Sequence, residues 1–202
     1  MELDEMKNLW KEENERLKNK IEVNEKILKE MNINKAIGEI DPLFKRAILG
    51  RNLALVYCII SIGSASLVIQ DVWYSVPAIL GGLAMLRSFI YHLSTDKPDY
   101  YQLPILDLQK SINDFRIHIA SSEKNDIVTA IVWQLLSTPA CLKLRPFNIS
   151  IYDNPKYLAV YCLCMFVYAV FIVAYSKKEY KKWDRQLKKA ESNLDEIKEF
   201  KK

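Results

Sequence analysis

Apolar residues fall into two regimes along this chain. Over residues 47–69, 72–93, 127–142 and 157–175 they run almost without interruption; elsewhere they recur every three or four positions among charged side chains. A helix rises 1.5 Å per residue, so a run of about 20 apolar residues crosses the roughly 30 Å hydrocarbon layer of a bilayer. Residues 47–69 and 72–93 are separated only by Gln70 and Asp71, which predicts a membrane hairpin. Residues 157–175 contain no charge and predict another span. Residues 127–142 are uncharged but short, and hold Gln134, Ser137, Thr138 and Pro139. A run of that length suits a re-entrant segment or buried core helix as well as a crossing extended by residues 119–126.

The spaced pattern predicts amphipathic helices. Residues 2–36 lack Pro and Gly, and Leu3, Met6, Trp10, Leu17, Ile21, Leu28 and Met31 lie along one stripe interrupted by Glu13, Asn14 and Asn24. Such a seam suits a partner helix better than an isolated coiled coil. Gly38 and Asp41-Pro42 predict a break. After a linker holding Pro98 and Pro104, Leu108, Ile112, Phe115 and Ile119 recur at helical spacing. In the loop of residues 143–156, Asn154 is placed to cap a helix beginning at Pro155. Beyond residue 175, Tyr180, Trp183, Leu187, Ala190, Leu194 and Ile197 form the cleanest heptad in the chain. The fold class implied is all-α: a polytopic membrane protein with four transmembrane helices in two hairpins, plus cytoplasmic amphipathic helices forming a small bundle. The segments are a cytoplasmic N-terminal helix (1–46), hairpin 1 (47–93), a cytoplasmic linker and amphipathic helix (94–126), hairpin 2 (127–175) and a cytoplasmic C-terminal heptad helix (176–202).

Charge placement orients this arrangement. Segments 1–46, 94–126 and 176–202 carry 10, 4 and 10 Lys/Arg, against three in the intervening loop: Lys143, Arg145 and Lys156. Positively charged residues favour the cytoplasmic side, so both termini are expected there, in a multi-pass protein of the cell inner membrane. The first 30 residues have no apolar core that a secretory signal would need. Arg51 and Arg87 are expected to anchor the cytoplasmic face of hairpin 1. Trp73 and Tyr74 are expected to form an aromatic belt at the opposite face. The overall charge of +4 is modest and mixed in sign, which speaks against direct nucleic acid binding.

Chemistry-bearing patterns are sparse. Cys58, Cys141, Cys162 and Cys164 all lie in apolar runs and none has metal-ligand spacing. His92 and His118 have no carboxylate pair or cysteine nearby in sequence, and no nucleophile-elbow, phosphate-loop or zinc-protease motif is present. No catalytic, cofactor-binding or metal site is predicted, and the expected class is non-enzymatic. The expected partners are the lipid bilayer and either a cytoplasmic protein or a second copy joined through amphipathic helices.

The opening MELDEMKNLWKEENERLKNKIEVNEKILKEM, with GRNLALVY at residues 50–57, resembles small uncharacterised multi-pass membrane proteins of Bacteroidota encoded beside extracytoplasmic-function sigma factors. The resemblance covers about residues 1–60. It implies a membrane-bound regulator holding such a sigma factor through the N-terminal helix, although the four spans and the absence of a zinc motif or periplasmic sensor domain depart from familiar anti-sigma patterns. The expected function is therefore a regulator or scaffold contacting a cytoplasmic partner through Leu3, Met6, Trp10, Leu17, Ile21, Leu28 and Met31. The alternative is a subunit of an oligomeric membrane assembly or pore, suggested by Gly81-Gly82, the polar third run and the heptad tail.

Overall fold

The computed structural model describes residues 3–100, 103–144 and 147–199, with backbone alone for residues 3–5, 9, 105 and 197–199. The apolar and amphipathic stretches fuse into four long helices: α1 (Leu3–Leu67), α2 (Val72–Tyr91), α3 (Ile105–Lys143) and α4 (Pro155–Glu199). A single 3-10 turn, His92–Ser94, follows α2, and no strand occurs among the described residues. Asn154 caps α4 as its sequence position implies, its Oδ1 accepting from the backbone N–H of Lys156 at 2.9 Å.

The boundaries at residues 46/47, 126/127 and 175/176 fall inside continuous helices, so the amphipathic segments are extensions of the apolar runs. The break predicted at Gly38 and Asp41-Pro42 does not occur: Pro42 lies inside α1. An interior proline removes one backbone hydrogen bond and costs about 3 kcal/mol. Here it is outweighed by packing, because Ile40, Leu43 and Phe44 on either side of it are fully or almost fully buried. Asp41 also receives Lys45 at 2.7 Å, one turn on, and Lys97 at 2.6 Å from the loop before α3. These lysines hold its carboxyl below the usual carboxylate range. Pro139 is likewise internal to α3. The carbonyl it leaves free is that of Leu135, and the Tyr161 hydroxyl of α4 donates to that oxygen at 2.6 Å.

The helices pack antiparallel to their sequence neighbours and divide lengthwise into two halves. The charged half is a three-helix bundle of the N-terminal part of α3 with parts of α1 and α4. Its core is Ala36, Ile40, Leu43 and Phe44 from α1, Leu108, Ile112, Phe115 and Ile119 from α3, Leu187, Ala190 and Leu194 from α4, and Tyr100 from the preceding loop. Phe44 and Phe115 stack with centroids 3.9 Å apart. Arg116 bridges α3 to Asp184 and Glu191 of α4, and Lys189 of α4 pairs with Glu39 of α1. The stripes of residues 108–119 and 180–194 are therefore satisfied within the chain; the side chain of Ile197, the last heptad position, lies outside the described residues.

The apolar half is held by small residues. A side chain at Gly81 would collide with Ser137 Oγ of α3, and a Cβ at Gly82 would lie 3.1 Å from Ile62 Cγ1 of α1. Ser61 Oγ and Ser137 Oγ are 2.8 Å apart, and the Trp133 indole donates to Ser61 Oγ at 2.6 Å. Close backbone approach joined by hydroxyl bonds is how helices associate in a lipid solvent, where apolar burial gives no drive. The outer surface of this half is correspondingly apolar, with Val56, Ile59, Leu80, Leu83, Leu163, Phe166, Val170 and Phe171 all exposed. Three helical segments are long and apolar enough to cross a membrane: within Met6–Leu67, Val72–Ser94 and Pro155–Glu196. The apolar part of α3 is not among them, yet it runs beside α2 from Ser121, which meets Tyr91, to Lys143, which meets Asp71.

Candidate functional site

The N-terminal stripe has a different fate from the other two. Core packing of α1 begins at Asn32 and Ile33, where Asn32 donates to Glu196 near the end of α4. Every described side chain from Met6 to Met31 is exposed. Trp10 is 75% exposed, and Met6, Leu17, Ile21, Leu28 and Met31 are all open to solvent. The side chain of Leu3 lies outside the described residues. Val23 and Ile27 widen the stripe. Residues 3–31 form an arm about 43 Å long extending past the bundle.

The four anchor residues separate into different roles. Arg51 is mostly buried and reaches across to the end of α2, its Nη1 donating to Thr95 O at 3.1 Å and Asp96 Oδ1 at 3.4 Å. It ties α1 to the α2–α3 connection as well as marking the charged end. Arg87 is exposed nearby on α2. Trp73 is 81% exposed at the other end of α2. Tyr74 is not a belt residue: it is 3% exposed, packed with Ala65, Val68, Ala78 and Ala140. Successive helix positions point about 100° apart, so neighbours can differ this sharply in burial. The Tyr74 hydroxyl accepts from the backbone N–H of Tyr152 at 3.0 Å, and Lys143 Nζ lies 4.1 Å from its ring centroid. It thereby fastens the loop between α3 and α4.

Residues that sequence spacing kept apart meet where the two halves join. His92 Nδ1 lies 2.9 Å from His118 Nε2, and His92 Nε2 lies 2.9 Å from Asp126 Oδ1. The Tyr180 hydroxyl donates to Asp126 Oδ2 at 2.9 Å. Tyr91 stacks on His118 with centroids 5.0 Å apart. An ionised Asp126 accepts from both neighbours, which fixes the proton of His92 on Nε2. Neutral His92 then accepts at Nδ1 from His118 Nε2–H. The chain runs His118 to His92 to Asp126, with Tyr180 closing it from α4. Burial, then the neighbouring His92, hold His118 below the ordinary imidazole value, with Asp126 opposing. Burial and the Asp126 charge push Tyr180 upward, so it remains a hydroxyl donor. No group of three or more His, Cys, Asp or Glu suited to a metal ion occurs among the described residues. The cluster clasps α3 and α4 to the end of α2.

The signal for this cluster was weak in sequence. His92 stands 26 positions from His118 and 34 from Asp126, and only the crossing register of α2 and α3 brings them together. Comparison with protein-family models, with curated proteins and with solved structures finds no match to this chain.

Proposed function

We propose that the chain is a non-enzymatic membrane-anchored scaffold or regulator that holds a cytoplasmic protein through the arm of residues 3–31. The observation that carries this is the unequal use of the three amphipathic stripes. Those of α3 and α4 are consumed in the bundle, whereas Met6, Trp10, Leu17, Ile21, Leu28 and Met31 remain exposed. Contiguous exposed apolar surface on a polar element marks an interaction site. Between residues 3 and 31 the chain carries eight acidic and seven basic side chains. That near-balance lacks the lysine- and arginine-rich face of a membrane-surface helix and suits a helical protein partner of mixed charge. A sigma factor of the extracytoplasmic-function class is the partner that the resemblance implies.

The membrane placement has its own support. The exposed apolar band suits lipid and is poorly suited to water. The charged ends of α1 and α4 pack together, Asn32 against Glu196 and Lys189 against Glu39, which calls for an even number of crossings. We therefore read α3 as the fourth span, entering lipid beside α2, with both termini on the cytoplasmic side of an inner membrane. The features that favoured an oligomeric pore are occupied within one chain: Gly81 and Gly82 by α3 and α1, Ser137 by Ser61, the heptad by the bundle.

Affinity capture from detergent tests the proposal. The truncation must stop at residue 31, because Asn32, Ile33 and Ala36 belong to the bundle. The full chain is expected to retain its cytoplasmic partner, and the chain lacking residues 1–31 to lose it while keeping its unfolding temperature. Equal recovery by both chains removes the arm from the contact. Crosslinking of the arm only to a second copy makes it a self-association device instead.

A further inference from the structure

Beside the histidine cluster the four helices line a half-open cavity of about 310 Å³, at the lower end of the range for small-molecule sites. It sits at the junction of the two halves, so one side of its wall belongs to the charged bundle and the other to the apolar runs. Leu53, Ala54, Tyr57, Met85, Phe115 and Ile119 supply apolar wall, and Arg46, Arg51, His92, Asp126, Tyr180 and Trp183 supply the polar part.

The hydrogen-bonding state of that polar part is asymmetric. Asp126, the one carboxylate among the lining residues, has both oxygens engaged, by His92 and Tyr180. Arg51 Nε and Trp183 Nε1 are each buried without an acceptor among the described residues, and both residues line the cavity. Leaving a buried donor unpaired costs free energy that an acceptor would recover. Arg51 Nη1 already meets Asp96 Oδ1 at 3.4 Å, and Arg46 Nη1 lies 4.0 Å from Glu179 Oε2, so the unmet demand is local to the two unpaired donors. The missing complement is an acceptor oxygen, which an anion supplies best beside a guanidinium, and the apolar wall suits a hydrocarbon body attached to it.

We propose that this cavity is a binding site for an amphiphile with an anionic oxygen head and an alkyl chain. The head is a carboxylate or phosphate accepting from Arg51 Nε–H and Trp183 Nε1–H, and the chain lies along Leu53, Tyr57 and Met85. The volume, equivalent to about ten waters of liquid, takes the head and the first part of a chain. The site lies where the apolar runs meet the charged bundle, so its ligand arrives from lipid. It is independent of the docking arm, and removal of residues 1–31 leaves it intact.

The test uses the full chain in phosphatidylcholine nanodiscs with two probes: decanoate added free, and phosphatidylglycerol included in the bilayer. Bound probe is counted by native mass spectrometry. Trp183→Phe removes one donor and keeps the ring's bulk. Gly50→Phe adds bulk at a lining position of the cavity, where a Cβ meets nothing within 4 Å. Each variant is expected to weaken capture at least ~10-fold, and decyl maltoside, with a similar chain and a neutral head, to be captured at least ~10-fold more weakly than decanoate, a difference of about 1.4 kcal/mol. Preference for decanoate identifies a free fatty acid, and preference for phosphatidylglycerol identifies a bilayer lipid. Failure to capture either anionic probe, or capture unchanged in both variants, overturns the site.

Discussion

At the scale of single residues, Gly81 and His118 are the positions where the structure makes the sharpest demands. A methyl group at Gly81 meets Ser137 Oγ, which is held by Ser61, so Gly81→Ala must break that bond or part the helices. Overpacking of this kind costs about 1–3 kcal/mol. Removing the obstructing oxygen relieves it, and Gly81→Ala with Ser137→Ala is expected to be less destabilised than the sum of the singles by about 0.5–3 kcal/mol, read from unfolding in detergent. His118 makes stability depend on pH. Its imidazole is depressed in the folded chain, so the fold favours the neutral ring. The contribution is complete above the ordinary value of about 6.5 and is lost as pH falls from there through the folded value. Tyr91, His92, Asp126 and Tyr180 face it through the cluster, with Arg51 across the cavity and Asp96 and Asp114 beside it. Between about pH 7.5 and about pH 5, on either side of the ordinary imidazole value, the unfolding temperature of the wild type is expected to fall more than that of His118→Gln; parallel curves would remove His118 as the origin. Gly81 stood out in sequence as a sign of assembly between copies, whereas its contact with α3 and the histidine cluster did not, because a register between two helices has no trace in either one.

At the scale of elements, the stripes of α3 and α4 could be read directly, since Leu108, Ile112, Phe115 and Ile119, and Leu187, Ala190 and Leu194, are all buried. Periodicity reports which face of a helix is apolar. It does not report whether that face finds a partner, and the arm shows the gap: a stripe of the same kind stays exposed, because the contacts of α1 with the described part of α4 begin at Asn32. The misreading at Pro42 has a similar cause. Local breaker chemistry argued for an end to the helix, and burial of Ile40, Leu43 and Phe44 against the rest of the bundle overrode it. The two kinds of stripe predict opposite phenotypes. Ile112→Ala in the bundle is expected to cost about 2–5 kcal/mol. Leu17→Asp and Ile21→Asp in the arm are expected to leave stability within about 0.5 kcal/mol while abolishing partner capture. Unfolding and capture measured on the same preparations separate the two.

For the whole molecule, the charged parts of α1, α3 and α4 gather at one end, and under the proposed topology the packing of α1 on α4 makes the number of crossings even. Impermeant thiol labelling of single-cysteine variants, made in a chain whose own four cysteines are replaced by serine or alanine, checks the resulting topology. Ser94→Cys and Ser192→Cys, both at exposed positions, are expected to label from the cytoplasmic side, and Asp153→Cys from the opposite side. Labelling of Asp153→Cys from the cytoplasmic side would make residues 127–142 re-entrant. The unbroken course of α1 has a mechanical meaning. Residues 3–67 form one helix about 98 Å long by its rise, in which the bundle segment of residues 32–46 links the apolar run to the arm. A tilt of about 5° pivoting at the Leu67 end therefore sweeps the Leu3 end through about 8 Å, a displacement larger than a side chain. Any slight change in how α1 leans would be magnified by its length into a larger displacement of the arm.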